Sequence, residues 1–185
     1  MLKNLVKFVR SPKYRSYYNA PLALKIRIFL SLWAWNLFFG VLLVSTMGIV
    51  IQILDVDMGT HANEALLSKY PLWGIFLLVA VIAPVLEEIL FRGPLIFFRK
   101  HKNFSYFFYA SAVLFGMAHL FNFQEGSHLL YLAPLLVAPQ IVMGLILGYI
   151  RIKLGLHWSI LLHSAHNTVL FLPLLAVKAL NLPLQ

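Results

Sequence analysis

The sequence predicts an all-α fold: a polytopic membrane helix bundle of about five transmembrane helices, N-terminus inside and C-terminus outside. Three observations carry this. Hydrophobic residues make up 61% of the 185-residue chain and charged ones 11%, against roughly 45–50% and about 25% in soluble domains. The apolar residues fall in long runs, and a run of about twenty suits a helix that crosses a bilayer. Placing the N-terminus in the cytoplasm leaves only Lys69 and Lys178, of fifteen Lys and Arg, outside, as orientation by positive charge requires.

In chain order, residues 1–27 form a basic, membrane-proximal segment with seven Lys and Arg interleaved with Leu, Val, Phe and Tyr. It reads either as an amphipathic arm on anionic lipid or as a solvated topogenic tail. Residues 28–185 form one membrane domain. The first span is Ile28 to Leu54, too long for a cleavable signal, and a polar loop, Asp55 to Lys69, follows outside. The second begins at Pro71 and continues to about Phe98, kinked by Pro84, which removes one backbone hydrogen bond. A basic turn, Arg99 to Lys102, leads to the third span, Phe104 to Phe121. After the loop Asn122 to His128, the fourth span, Leu129 to Ile150, carries Gly144-xxx-Gly148, a spacing that lets helices approach closely. Arg151 and Lys153 then form a turn before the fifth span, Leu156 to Val177. Trp73, Tyr131, Tyr149 and Trp158 sit near span ends, as interfacial anchors do.

Composition also excludes. With no cysteine there is no disulfide, thiolate metal site or Cys nucleophile. The net charge of +9 is not a nucleic-acid signature, because the cations punctuate apolar runs instead of flanking aromatic platforms. The expected surroundings are membrane lipids, in a multi-pass protein of the cell membrane.

The chemistry lies in the second span. Glu87, Glu88 and Arg92 interrupt an otherwise apolar segment, and charges at membrane depth are costly enough to mark a functional site. On a helix Glu88 and Arg92, four apart, share a face and pair. Glu87 is turned about 100° away and has no such partner. One carboxylate is thereby neutralised and the other left free for chemistry. Helix rise puts Glu87 about 20 Å above the cytoplasmic turn and His119 about 22 Å above its own; on the fifth span His163 is about 13 Å up and Asn167 about 20 Å. Three helices thus bring polar groups to one layer. His163 and Asn167 share a face, whereas His166 lies about 100° from Asn167 and reads as a packing residue.

Glu87-Glu88-x-x-x-Arg92, Phe115-x-x-x-His119 and His163-x-x-x-Asn167, in this order on membrane spans, resemble the CPBP family, which comprises the type II CAAX prenyl endopeptidases and the bacteriocin-processing or Abi proteins. The resemblance covers residues 71–177. It implies an intramembrane endopeptidase acting on a membrane-associated peptide or lipidated protein. Glu87 with His119 would activate a water, His163 and Asn167 would stabilise the oxyanion, and Glu88 and Arg92 would support the site. No cofactor is expected. The competing idea is a zinc ion on Glu87, His119 and His163, although Asn is a poor zinc ligand and no H-E-x-x-H occurs. Ser111, Ser159 and Ser164 lack a nucleophile-elbow pattern. Two non-proteolytic readings remain: an interaction or immunity protein with an idle site, and a proton-coupled carrier. The absence of repeated halves speaks against the carrier.

Overall fold

Every described element is a helix, which satisfies its backbone groups within its own segment, as an apolar surrounding favours. The computed structural model describes residues 1–17, 19–56, 69–122 and 130–179. Asp57, Glu64 and Glu125, expected in outer loops, fall outside them. The elements are α1 (Leu2–Arg10), α2 (Leu22–Ile53), α3 (Leu72–Leu77), a π-helical turn (Leu78–Ile82), α4 (Ala83–Phe91), α5 (Phe104–Ala118), α6 (Ala133–Leu136), α7 (Ala138–Leu154) and α8 (Leu156–Ala179). Short 3₁₀ turns cover Gly93–Ile96, His119–Asn122 and Leu130–Leu132.

Helix α7 is the axis of the bundle and touches α1, α2, α5, α6 and α8. Its small residues explain how. A Cβ on Gly144 would sit 3.1 Å from Ala112 Cα, and one on Gly148 would sit 2.7 Å from the Phe108 ring. The Gly-xxx-Gly spacing is therefore the α5–α7 contact. The outer surface is apolar: Ile53, Phe97 and Phe121 are 75%, 83% and 89% exposed. Water would not tolerate so many such side chains in one surface, and acyl chains would.

Three helical stretches are long and apolar enough to cross a membrane: Leu22–Ile53, Leu72–Ile96 and Phe104–Asn122. The remaining two expected spans are α7 and α8. Nearly all of α7 from Met143 onward is buried, so its residues answer to neighbouring helices and not to lipid.

Four expectations are revised. The second span does not run unbroken to Phe98: α4 stops at Phe91, and Gly93-Pro94 turns the chain into a 3₁₀ segment, because proline disfavours helix in the residue before it. The fourth begins later, at Ala138. Arg151 and Lys153 do not form a turn. They stay in α7, 9% and 7% exposed, and the helix ends only at Gly155, whose φ of 111° suits glycine. Tyr149, expected as an interfacial anchor, is core, packed edge-on to Phe8 at 5.0 Å. Trp73 and Tyr131 are exposed.

The basic N-terminal segment is built into the bundle. α1 buries Leu5 and Phe8, Tyr109 donates to Val9 O, and Lys3 and Lys7 face outward. Residues 22–27 are already the start of α2.

Gly144→Val should lower the melting temperature in detergent by a loss on the order of 1–3 kcal/mol, since Ala112's backbone cannot yield. Gly48→Val, where an added Cβ meets nothing within 4 Å, should leave the melting curve almost unchanged.

Candidate active site

The site starts from a backbone problem. Ala83 N–H donates to Leu78 O, five residues back. The next donor in that register would be residue 84 and its acceptor Val79 O, but Pro84 has no N–H. Asn167 Nδ2, from α8, takes the vacant place at 2.9 Å from Val79 O. The proline ahead of the glutamates thus produces a π-helical turn instead of a simple kink, and the turn is pinned to α8.

One turn beyond Pro84, two adjacent carboxylates separate into two environments. Glu88 is completely buried. Its Oε1 lies 3.0 Å from Arg92 Nη1 and 3.1 Å from His163 Nδ1, and Oε2 accepts a hydrogen bond from Ser159 Oγ. Arg92 is equally buried, and its guanidinium lies over the Phe115 ring at 4.0 Å. The contact with Glu88 is a charge pair without hydrogen-bond alignment: among the described residues the Arg92 nitrogens have no hydrogen-bond acceptor. Charge and ring therefore hold the guanidinium. Arg151 Nε closes the region from α7 by donating to Arg92 O at 3.1 Å.

Glu87 differs. Its side chain is 30% exposed, with Oε2 3.6 Å from His163 Nε2. One imidazole therefore spans both glutamates, Nδ1 toward Glu88 and Nε2 toward Glu87. Phe115, fully buried, packs edge-on to His163 at 5.6 Å and to His119 at 4.7 Å. His119 Nδ1 lies 2.8 Å from Phe115 O. A carbonyl only accepts, so Nδ1 carries the proton and Nε2 keeps its lone pair.

Of the motif residues, His163 thus faces both glutamates and Phe115, His119 packs on Phe115, and Asn167 meets the Val79 carbonyl. The family model described as type II CAAX prenyl endopeptidase Rce1-like matches residues 69–169, more than half of the chain. The chain belongs to this family. Membership implies a CAAX protease-type hydrolase, and the matched region holds Glu87, Glu88, Arg92, His119, His163 and Asn167. No curated protein and no solved structure matches the chain.

In this family member Ser159 plays a part that sequence reasoning did not give it. In sequence it stands only as a serine without an elbow pattern, whereas the structure shows it as a donor to Glu88. The signal was present: Ser159 lies four residues before His163 and so shares its face. Ser111, likewise without an elbow pattern, donates to Phe91 O at 2.8 Å and satisfies a carbonyl near the end of α4. His166 is buried and turned toward α2, its Cε1 3.3 Å from where a Cβ on Gly40 would lie. Among the described residues no three His, Asp or Glu form a metal-ligating group.

Glu88→Gln should strand a buried guanidinium, at a cost on the order of 3–5 kcal/mol. Expression and melting temperature should fall, with activity lost in proportion to folded protein. Ser159→Ala, which removes one hydrogen bond to a charged group, should be milder, about 1.5–3 kcal/mol. Thermal denaturation in one detergent ranks the two.

Proposed function

We propose that the chain is an intramembrane endopeptidase that hydrolyses a peptide bond by a water activated at Glu87. The observation that carries this is the inequality of the two glutamates. Glu88 is saturated by Arg92, Ser159 and His163. Glu87 is partly open, with the His163 edge beside it. A base must reach its water, and only Glu87 has that access.

In this reading Glu87 accepts a proton from water as the oxygen attacks the scissile carbonyl. His119, its Nδ1–H fixed on Phe115 O, offers Nε2 as a second acceptor to orient that water. Glu88 holds a proton on His163 Nδ1. A second proton on Nε2 makes the ring a donor toward the oxyanion that forms as the carbonyl bond opens. Asn167 commits one Nδ2 hydrogen to Val79 and retains the other for the same oxyanion. The proton on Glu87 then passes to the leaving amine, so that the atoms balance: water is consumed, and a carboxyl and an amine are released. The substrate class is a membrane-associated peptide or a lipidated protein, in keeping with the family. No nucleic acid is involved.

Glu87→Gln should give a protein with wild-type melting temperature and turnover near background, since an amide cannot take the proton. Purified enzyme should hold no stoichiometric zinc and keep its activity in chelators. One zinc per chain by elemental analysis, lost together with activity, would replace the water-activation step with metal chemistry. A folded Glu87→Gln variant with full turnover would exchange the roles of the two glutamates, and wild-type protein without turnover on any such substrate favours the binding role.

The accompanying topology is five spans in the cell membrane, N-terminus and residues 99–102 cytoplasmic. Asn63→Cys should label only from the outer side of sealed membranes; labelling from the cytoplasmic side reverses the orientation.

A further inference from the structure

The N-terminal segment and the turn after Ile96 meet in a cleft of about 540 Å³ that includes none of the glutamates or histidines of the candidate active site. Arg10, Lys13 and Arg15 form one wall, and Arg99, Lys100 and Lys102 the other. All six are solvent-exposed. Among the described residues no Asp or Glu lines the cleft, and none occurs in the sequence before Asp55. Six cations brought together without a carboxylate repel one another unless an anion is supplied from outside.

The convergence is made by packing. Lys153 Nζ, buried at the end of α7, donates to Arg15 O at 3.0 Å, and Tyr17 N donates back to Lys153 O at 2.7 Å. Tyr14 packs edge-on to Phe104 at 5.6 Å, and Tyr109 holds Val9 O. These contacts fix the arm against the start of α5, so the walls are set before any ligand arrives.

Position identifies the ligand. The cleft lies where one apolar stretch, Leu72–Ile96, has just ended and another, Phe104–Asn122, begins. Close in sequence to its lining residues, Phe97 and Tyr106 are 83% and 70% exposed, and an exposed Tyr suits the interface of a bilayer. We infer that this cleft binds the phosphate of an anionic phospholipid headgroup, whose acyl chains would run along the apolar outer surface of the bundle. A phosphate accepts several Lys and Arg donors at once, and headgroup phosphates are the anions concentrated at this level.

The test uses the full chain purified in detergent and exchanged into mixtures of phosphatidylcholine and phosphatidylglycerol, with bound lipid read by native mass spectrometry. Wild type should retain phosphatidylglycerol selectively. Lys13→Gln with Lys102→Gln should weaken that retention on the order of tenfold. Lys3→Gln with Lys7→Gln removes the same charge from the outward face of α1 and should leave retention unchanged. Lys13→Arg with Lys102→Arg should keep it, which separates lost charge from damaged folding. Equal loss in the two Gln pairs would mean diffuse attraction and overturn the site. A melting-temperature rise with inorganic phosphate equal to that with phosphatidylglycerol would assign the cleft to a free anion and overturn the lipid.

Discussion

The rest of the structure depends on one ion pair held away from both water and lipid. Glu88 and Arg92 are each fully buried, and two charges in that condition are costly unless their remaining valences are met. Three further segments close around them. Phe115 of α5 lies under the guanidinium, Ser159 and His163 of α8 reach the carboxylate, and Arg151 of α7 takes the Arg92 carbonyl. The pair is thus less a brace for its own helix than the point at which α4, α5, α7 and α8 are fixed to one another. Its neutrality has a consequence one residue away: Glu87 is left as the carboxylate with room for water.

A second constraint is the backbone defect at Pro84. In an apolar medium an unmet carbonyl is expensive, and the chain meets it with the side chain of Asn167. The same residue that the family pattern assigns to the reaction therefore also fixes the height of the glutamates relative to α8. His163, one turn before Asn167, is placed against both carboxylates as a result. Under the proposed mechanism register and chemistry would share this residue, so substitutions of Asn167 would act on both.

The cations divide by environment as the carboxylates do. Arg92, Arg151 and Lys153 are buried and used in packing, their charge or N–H groups turned onto carbonyls, rings or Glu88. Those of residues 10–15 and 99–102 stay exposed around a shared cleft. Lys153 links the two groups, since its ammonium holds the arm that forms one wall.

The sequence by itself determined the class of fold, the family motifs and the difference between the two glutamates. Apolar run length and charge placement follow from the bilayer as solvent, and the 100° between adjacent residues follows from helix geometry alone. It did not determine where helices end when they end inside the bundle. Arg151 and Lys153 look like a turn because cations usually stop a span, and only contact with residues 15–17 and Arg92 makes their burial affordable. Tyr149 looks like an interfacial anchor until Phe8 is seen to cover it. Pro84 signals a distortion, but whether that is a kink or a π-helical turn depends on a donor eighty-eight residues along the chain, counted from the Val79 carbonyl it serves. Ser159 carries no motif, and its role exists only because α8 lies against α4. The tertiary structure decided these points because each rests on a partner distant in sequence, whereas what was legible rests on periodicity and solvent, which act along the chain.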